Sequence, residues 1–187
     1  MTFNLAAVRA EFPILEEVIH GQRLVYLDSG ASAQKPKAVL ERMEHAHRHE
    51  YANVHRGLHT LANRATEAYE GGRERVRKFL NAERVEEIVF TKSATEAINL
   101  VAASFAGPRL GQGDEIVLTI MEHHSNIVPW HFHRERQGAV LKWVDIADDG
   151  SFDLDAFEAA LGPRTRMVAV THMSNVLGTV SPIKQIV

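Results

Sequence analysis

Cysteine is absent from the 187 residues. That excludes a disulfide framework, a thiolate zinc site and a cysteine nucleophile within the chain. Long apolar runs are absent as well: none approaches the ~20 residues that a membrane-spanning helix needs, so no membrane partner is expected. Neither sign of charge dominates, with 21 Lys and Arg against 24 Asp and Glu and a net charge of -3. This balance gives no electrostatic case for nucleic acid as a partner. GxGxxG and Walker patterns are missing, which disfavours dinucleotide and P-loop nucleotide sites. There is no fixed-period repeat and no low-complexity linker. Met1 to Pro13 carries Arg9 and Glu11 within its apolar pattern. It lacks the basic start, apolar core and small-residue cleavage site of a signal peptide, so a cytoplasmic location is the expectation.

The composition present is that of a globular protein. Apolar residues at 45% and charged residues at 24% exclude disorder as the main reading. A chain of this length buries roughly 70% of its unfolded surface without staples. Residues 1–80 read as a helical segment with loops. Leu5 to Phe12 is a short amphipathic helix, Gly21 a turn, and Leu24 to Leu27 a short strand. A helix runs from about Pro36 to Tyr51, and another from Leu61 to Leu80, interrupted by Gly71 and Gly72 at about 1 kcal/mol each. Residues 81–187 alternate regularly. Strands are expected at Glu87 to Thr91, Asp114 to Ile120, Val140 to Val144 and Met167 to Thr171. Helices are expected at Ala94 to Ala106, Ile127 to Gln137 and Leu154 to Leu161. This alternation defines an α/β fold: a mostly parallel sheet with helices on both faces, preceded by the N-terminal helical segment. Ser181 to Val187 reads as the first turn of a helix with Pro182 at its start, so the chain is expected to be a piece of something longer.

Ligands of such sheets bind beyond the carboxyl ends of the strands. Three of those ends are polar here. Lys92 to Glu96 (KSATE) places Ser93 and Glu96 at capping-box spacing. It is either a plain cap or an anion cradle, in which small residues admit a phosphate to the free N–H groups and Thr95 adds a hydroxyl. Met121 to Asn126 (MEHHSN) offers His123 and His124 as ligand, base or stacking surface, or as merely structural histidines. Thr171 to Asn175 (THMSN) ends in an asparagine with donors and an acceptor, or in a turn former. A phosphorylated aromatic ligand would use all three together.

Other features are weaker. His45 and His49 share a helix face at i,i+4, which fits a metal site or, more simply, a solvated face. There is no HExxH, no acidic third ligand follows from spacing, and no metal is expected. His131 and His133 point to different faces. Asn53 to Thr60 is a basic, polar loop in which Arg56 could grip a carboxylate.

Five segments carry a resemblance to a known family. YLDSGASAQKP (Tyr26 to Pro36), YANVHRGLHTLA (Tyr51 to Ala62), VFTKSATEAINLVA (Val89 to Ala102), MEHHSNIVPW (Met121 to Trp130) and THMSNVLGT (Thr171 to Thr179) stand in the order and spacing of one group. The chain resembles the amino-terminal part of a group II (Suf-type) cysteine desulfurase, among the class V aminotransferases and fold-type I pyridoxal-phosphate enzymes. The resemblance implies an incomplete cofactor-binding large domain with pyridoxal 5'-phosphate as cofactor. His123 would stack on the pyridine ring and serve as the catalytic histidine. Thr95 and the backbone at Ala94 would hold the phosphate, and Asn175 the phenolic oxygen. Ala31, His55 and Arg56 would lie near the substrate entrance, some approaching from a partner subunit.

The resemblance further implies L-cysteine as substrate, a homodimer, and a Suf-type sulfur-acceptor protein serving iron-sulfur cluster assembly. Alanine and an enzyme persulfide would be the products. Where Ala94 stands the family often has a second threonine. The family's Schiff-base lysine follows a serine-glycine-histidine run that is not found here around Lys35, Lys37, Lys78, Lys92, Lys142 or Lys184. The nucleophilic cysteine and the small domain's carboxylate-binding arginine are likewise not matched, so the chain alone is expected to be inactive, with half of a cofactor site. The alternatives are a selenocysteine lyase or related enzyme on the same scaffold, a non-enzymatic folding or dimerisation module, and a histidine-metal hydrolase.

Overall fold

Asn4 opens the first element. Its side-chain oxygen accepts from the Ala7 N–H at 3.1 Å and so caps α1 (Leu5–Ala10). The computed structural model describes residues 3–187 and divides the chain into two units, Met1–Val89 and Phe90–Val187.

In the first unit a two-stranded antiparallel hairpin follows, β1 (Val18–Ile19) and β2 (Gln22–Arg23). Its turn residues His20 and Gly21 both have positive φ, 51° and 75°, as the tight hairpin turn that matches strand twist requires. The strand expected at Leu24 to Leu27 does not form. The Arg9 guanidinium takes the Leu24 carbonyl at 2.9 Å, and the Leu24 N–H goes to Glu17 at 2.9 Å. No strand pairs with the segment among the described residues, and Leu27 stays 91% exposed.

α2 (Lys37–His45) starts directly after Pro36 and widens into one π-helical turn, Ala46–Glu50. α3 (Thr60–Leu80) is a single helix, continuous through Gly71 and Gly72, where the sequence pattern implied an interruption. Nothing lies within 4 Å of a Cβ built at either glycine, so their cost is one of propensity and not of packing. His59 caps its start through Nδ1, and Asn81, at φ 56°, ends it in the left-handed conformation. Ala62 and Ile88 are the buried apolar residues among those described in this unit.

The second unit is built on β3 (Glu115–Thr119), β4 (Val140–Val144) and β5 (Thr165–Ala169). They form a parallel three-stranded sheet in the order β4-β3-β5. α4 (Ala94–Val101) and its π-helical extension Ala102–Ala106 precede β3, α5 (Val128–Gln137) connects β3 to β4, and α6 (Leu154–Ala160) connects β4 to β5. A short α7 (Ile183–Ile186) follows.

Side chains alternate across the strand, and the core divides accordingly. Ile116 and Leu118 pack with Ala102, Ala106 and Trp130 on one face. Val117 packs with Val144 and Phe157 on the other. The sheet is thus covered on both faces, which is why β3 reads as a continuous apolar run. The strand expected at Glu87 to Thr91 is a correction. Val85–Glu87 form a 3-10 turn, and Ile88 is extended but has no strand beside it among the described residues. Apolar, β-branched sequence makes a strand only where a neighbour supplies the ladder. No helix among the described residues is long and apolar enough to cross a membrane.

Candidate functional site

The order β4-β3-β5 means that the chain leaves β3 for one neighbour and returns to the other. α5 and α6 accordingly lie on opposite faces. The point where the direction reverses, beyond the carboxyl ends of β3 and β5, is the usual crevice of an open α/β sheet. The segments after β3 and β5 carry His123 and Asn175, and α4 packs against the turn that follows His123.

The amino end of α4 is a genuine cap. The Ser93 hydroxyl oxygen accepts from the Glu96 N–H at 3.2 Å, while the Glu96 carboxylate accepts from the Lys92 N–H. This satisfies the third turn position and leaves the N–H groups of Ala94 and Thr95 without an acceptor among the described residues. The Thr95 hydroxyl is exposed beside them. Two free N–H groups, a hydroxyl and the positive end of an eight-residue helix form a donor set suited to an anion.

After β3 the chain makes a 3-10 turn, His124–Asn126. His123 precedes it with its imidazole exposed. Its Nδ1 accepts from the Ser125 N–H at 3.2 Å and lies 2.8 Å from the Ser125 hydroxyl oxygen. An accepting Nδ1 puts the ring proton on Nε2. His123 therefore presents a flat ring whose outward nitrogen is a donor.

Beyond β5, Ser174 organises a turn. Its hydroxyl oxygen accepts from Val176 and Leu177 N–H, and its N–H donates to Thr179 at 2.9 Å. Gly178, at φ 73°, closes the reversal. The Asn175 amide sits exposed on this turn and takes no hydrogen-bond partner among the described residues.

Ala31, His55 and Arg56 belong to the first unit. Ala31 lies in the turn closed by its own N–H to Asp28, and all three are exposed. His55 has φ 70°, a left-handed conformation uncommon for a residue with a Cβ. It is held there by its N–H to Thr66 Oγ1 at 2.9 Å and by Nε2 at 2.9 Å from Glu70. Two residues on, Gly57 has no room for a side chain: a Cβ would meet that of buried Ala62 at 2.2 Å.

The other histidines also find places. The His45 and His49 rings lie 4.9 Å apart between centroids, tilted by 44°, and Glu50 pairs with both His45 and Arg42. The Arg42 guanidinium is the main cause that holds the Glu50 carboxyl below its ordinary range. No three His, Cys, Asp or Glu side chains gather as a metal site among the described residues. His131 lies near Trp143 and His133 bonds Gln137, on separate faces of α5.

Two residues of this region escape a reading by spacing. Ser125 fixes the His123 ring, and Glu122, directly before it, is a buried carboxylate that collects three hydrogen bonds. Only their position inside the MEHHSN run marks them in the sequence.

A family model described as aminotransferase class-V matches residues 25–187. A probable cysteine desulfurase of Synechocystis sp. is 52% identical over 181 residues, covering 97% of this chain and 43% of the relative. A cysteine desulfurase of Pectobacterium carotovorum subsp. carotovorum is 50% identical over 187 residues, covering 100% of this chain and 46% of the relative. The apo structure of a cysteine desulfurase from Thermococcus onnurineus NA1 superimposes with a TM-score of 0.89 at 37% identity, covering 99% of this chain and 44% of that one. The Escherichia coli cysteine desulfurase CsdA gives 0.83 at 39% identity, covering 99% and 45%. The chain thus spans a little under half the length of these relatives.

Proposed function

Because the chain belongs to the class V aminotransferase family, we propose that it is the amino-terminal portion of a pyridoxal-phosphate-dependent cysteine desulfurase. Residues 81–187 would be part of its cofactor-binding domain. The observation that carries this reading is the unsatisfied donor set at α4: the free N–H groups of Ala94 and Thr95 and the Thr95 hydroxyl suit a phosphate. The flat His123 ring and the unpartnered Asn175 amide lie on the loops that flank the sheet's crevice, where an aromatic ring with a polar oxygen would be met.

Pyridoxal phosphate, when bound, supplies an electron sink. The residues of this chain would hold and orient it. Ala94 and Thr95 would donate to its phosphate, Asn175 would donate to its phenolic oxygen, and His123 would lie against its ring. The His123 proton sits on Nε2 because Nδ1 is occupied by Ser125, so proton donation toward a ligand would come from Nε2. Ala31, His55 and Arg56 would line the substrate entrance, where the Arg56 guanidinium suits a carboxylate.

The overall reaction would take L-cysteine to L-alanine, its sulfur passing to an enzyme thiolate as a persulfide. This chain holds no cysteine, so that thiolate would come from outside these residues. A homodimer and a Suf-type sulfur-acceptor protein complete the reading. The test is His123→Ala in the full-length protein, followed by the visible spectrum with pyridoxal phosphate and by alanine formation from cysteine. A changed spectrum and slowed alanine formation are expected; a wild-type spectrum and rate would sink the assignment.

A further inference from the structure

Glu122 is 8% exposed, and no basic side chain pairs with it among the described residues. It is held instead by three donors. The Thr119 hydroxyl donates to Oε1 at 2.6 Å, the Thr171 backbone N–H donates to Oε1 at 2.9 Å, and Asn126 Nδ2 donates to Oε2 at 2.7 Å. Each donor comes from a different place: the end of β3, the segment beyond β5, and the turn that carries His123. A buried carboxylate without a cation is costly unless its lone pairs are satisfied, and here hydrogen bonds alone satisfy them.

The polarity of the network is fixed. Trp130 Nε1 can only donate, and it donates to Asn126 Oδ1 at 3.2 Å. The Asn126 amide is therefore oriented with its NH2 toward Glu122. Thr171 offers a backbone N–H, which cannot reverse. Both Glu122 oxygens must then be acceptors, a demand that a carboxylate meets and a carboxamide does not.

We infer that Glu122 is a positioning residue: its two oxygens tie the His123 turn to the Thr171–Asn175 segment across the crevice between β3 and β5. The inference rests on the reading above for what the two segments hold. Their relative placement follows from the bonds themselves. Glutamine at this position has nearly the same shape, but its NH2 would face either the Thr171 N–H or the Asn126 NH2. One arm of the bridge would open, and His123 or Asn175 would lose its register.

The test compares Glu122→Gln with Thr119→Val in the full-length protein. Thr119→Val removes one donor to the carboxylate but neither arm that reaches a site segment. Two quantities are read beside the melting temperature: the NMR chemical shifts of the His123 ring at fixed pH without cofactor, assigned by their loss in His123→Gln, and the dissociation constant of pyridoxal phosphate. Glu122→Gln is expected to move the His123 ring resonances where the Asn126 arm opens, and to weaken pyridoxal phosphate by about tenfold whichever arm opens, through the lost placement of His123 or Asn175. Thr119→Val is expected to lower the melting temperature while leaving both readouts near wild type.

A Glu122→Gln variant that leaves both the His123 ring resonances and the dissociation constant of pyridoxal phosphate at wild-type values overturns the inference. So does a Thr119→Val variant that disturbs both readouts as strongly, since Glu122 would then act only through general stability. Should Glu122→Gln not fold, Asn126→Ala cuts one arm alone, and an unperturbed His123 there overturns the inference equally. Wild-type protein that takes up no pyridoxal phosphate would refute the proposed function, while the His123 ring resonances in Asn126→Ala would still judge the bridge.

Discussion

Gly57 makes the sharpest prediction available from geometry. A Cβ at this position would stand 2.2 Å from the Ala62 Cβ. Carbon atoms in contact prefer about 3.5–4.0 Å, so Gly57→Ala must move one backbone by about 1.3 Å or more. Ala62 sits in the first turn of α3 at 0% exposure, where the helix gives it little freedom to retreat. Overpacking of this kind costs about 1–3 kcal/mol. The next contact, His59 Nε2 at 3.4 Å, is the end of a side chain and adds little.

Because one methyl causes the clash, removing the other should relieve it. Gly57→Ala combined with Ala62→Gly should recover most of the loss, apart from about 1 kcal/mol for glycine within the helix. Urea denaturation of the four proteins in this cycle measures the coupling. Gly57→Ala as stable as wild type, or a double variant no better than the sum of the singles, would refute the reasoning.

Three further predictions follow from packing and charge. Phe157→Ala, which empties the centre of the cluster with Val117 and Val144, should cost about 3–5 kcal/mol in urea denaturation; a loss below about 1 kcal/mol would contradict that packing. Ser93→Ala should cost about 1 kcal/mol by removing the cap of α4, read as a lowered melting temperature, and an unchanged melting temperature would count against the cap. The Arg77 guanidinium beside Glu74 holds its carboxyl down to about 2 from an ordinary 4.5. A lowered pKa stabilises the folded state above the unfolded value, so this contribution is complete above pH 4.5 and fades as the pH falls toward 2. Glu74→Gln should flatten the pH dependence of the melting temperature across that window, and an unaltered slope would dismiss the pair as a contributor.

The second unit was largely legible in the sequence because its cues are local. DEIVLTI identifies β3, and Ser93 with Glu96 marks the start of α4. β5 lies two residues earlier than the apolar run MVAV implies, since pairing with β3 starts at Thr165 opposite Glu115. Register belongs to two strands at once, and one strand's hydrophobicity does not carry it. The same limit explains the strands misread at 24–27 and 87–91, where apolar residues lack a ladder partner among the described residues. The site divides along similar lines. His123, Thr95 and Asn175 announce themselves by chemistry at strand or helix ends. Glu122 does not, because its donors Thr119, Asn126 and Thr171 include one that lies 49 residues away in the chain.

That separation also sets a clock. β3 is the first strand of the sheet to be synthesised, yet it is the middle one in space. β4 follows soon after, while the Thr171 amide emerges 49 residues behind Glu122. At ordinary translation rates the interval is about 2–10 s. Throughout it, the side of β3 that will receive β5 has its N–H and C=O groups bare, and any extended segment of a neighbouring nascent chain competes for them. Crowded polysomes should therefore lose more of this protein to aggregation than sparse ones, and faster elongation between residues 122 and 171 should reduce the loss.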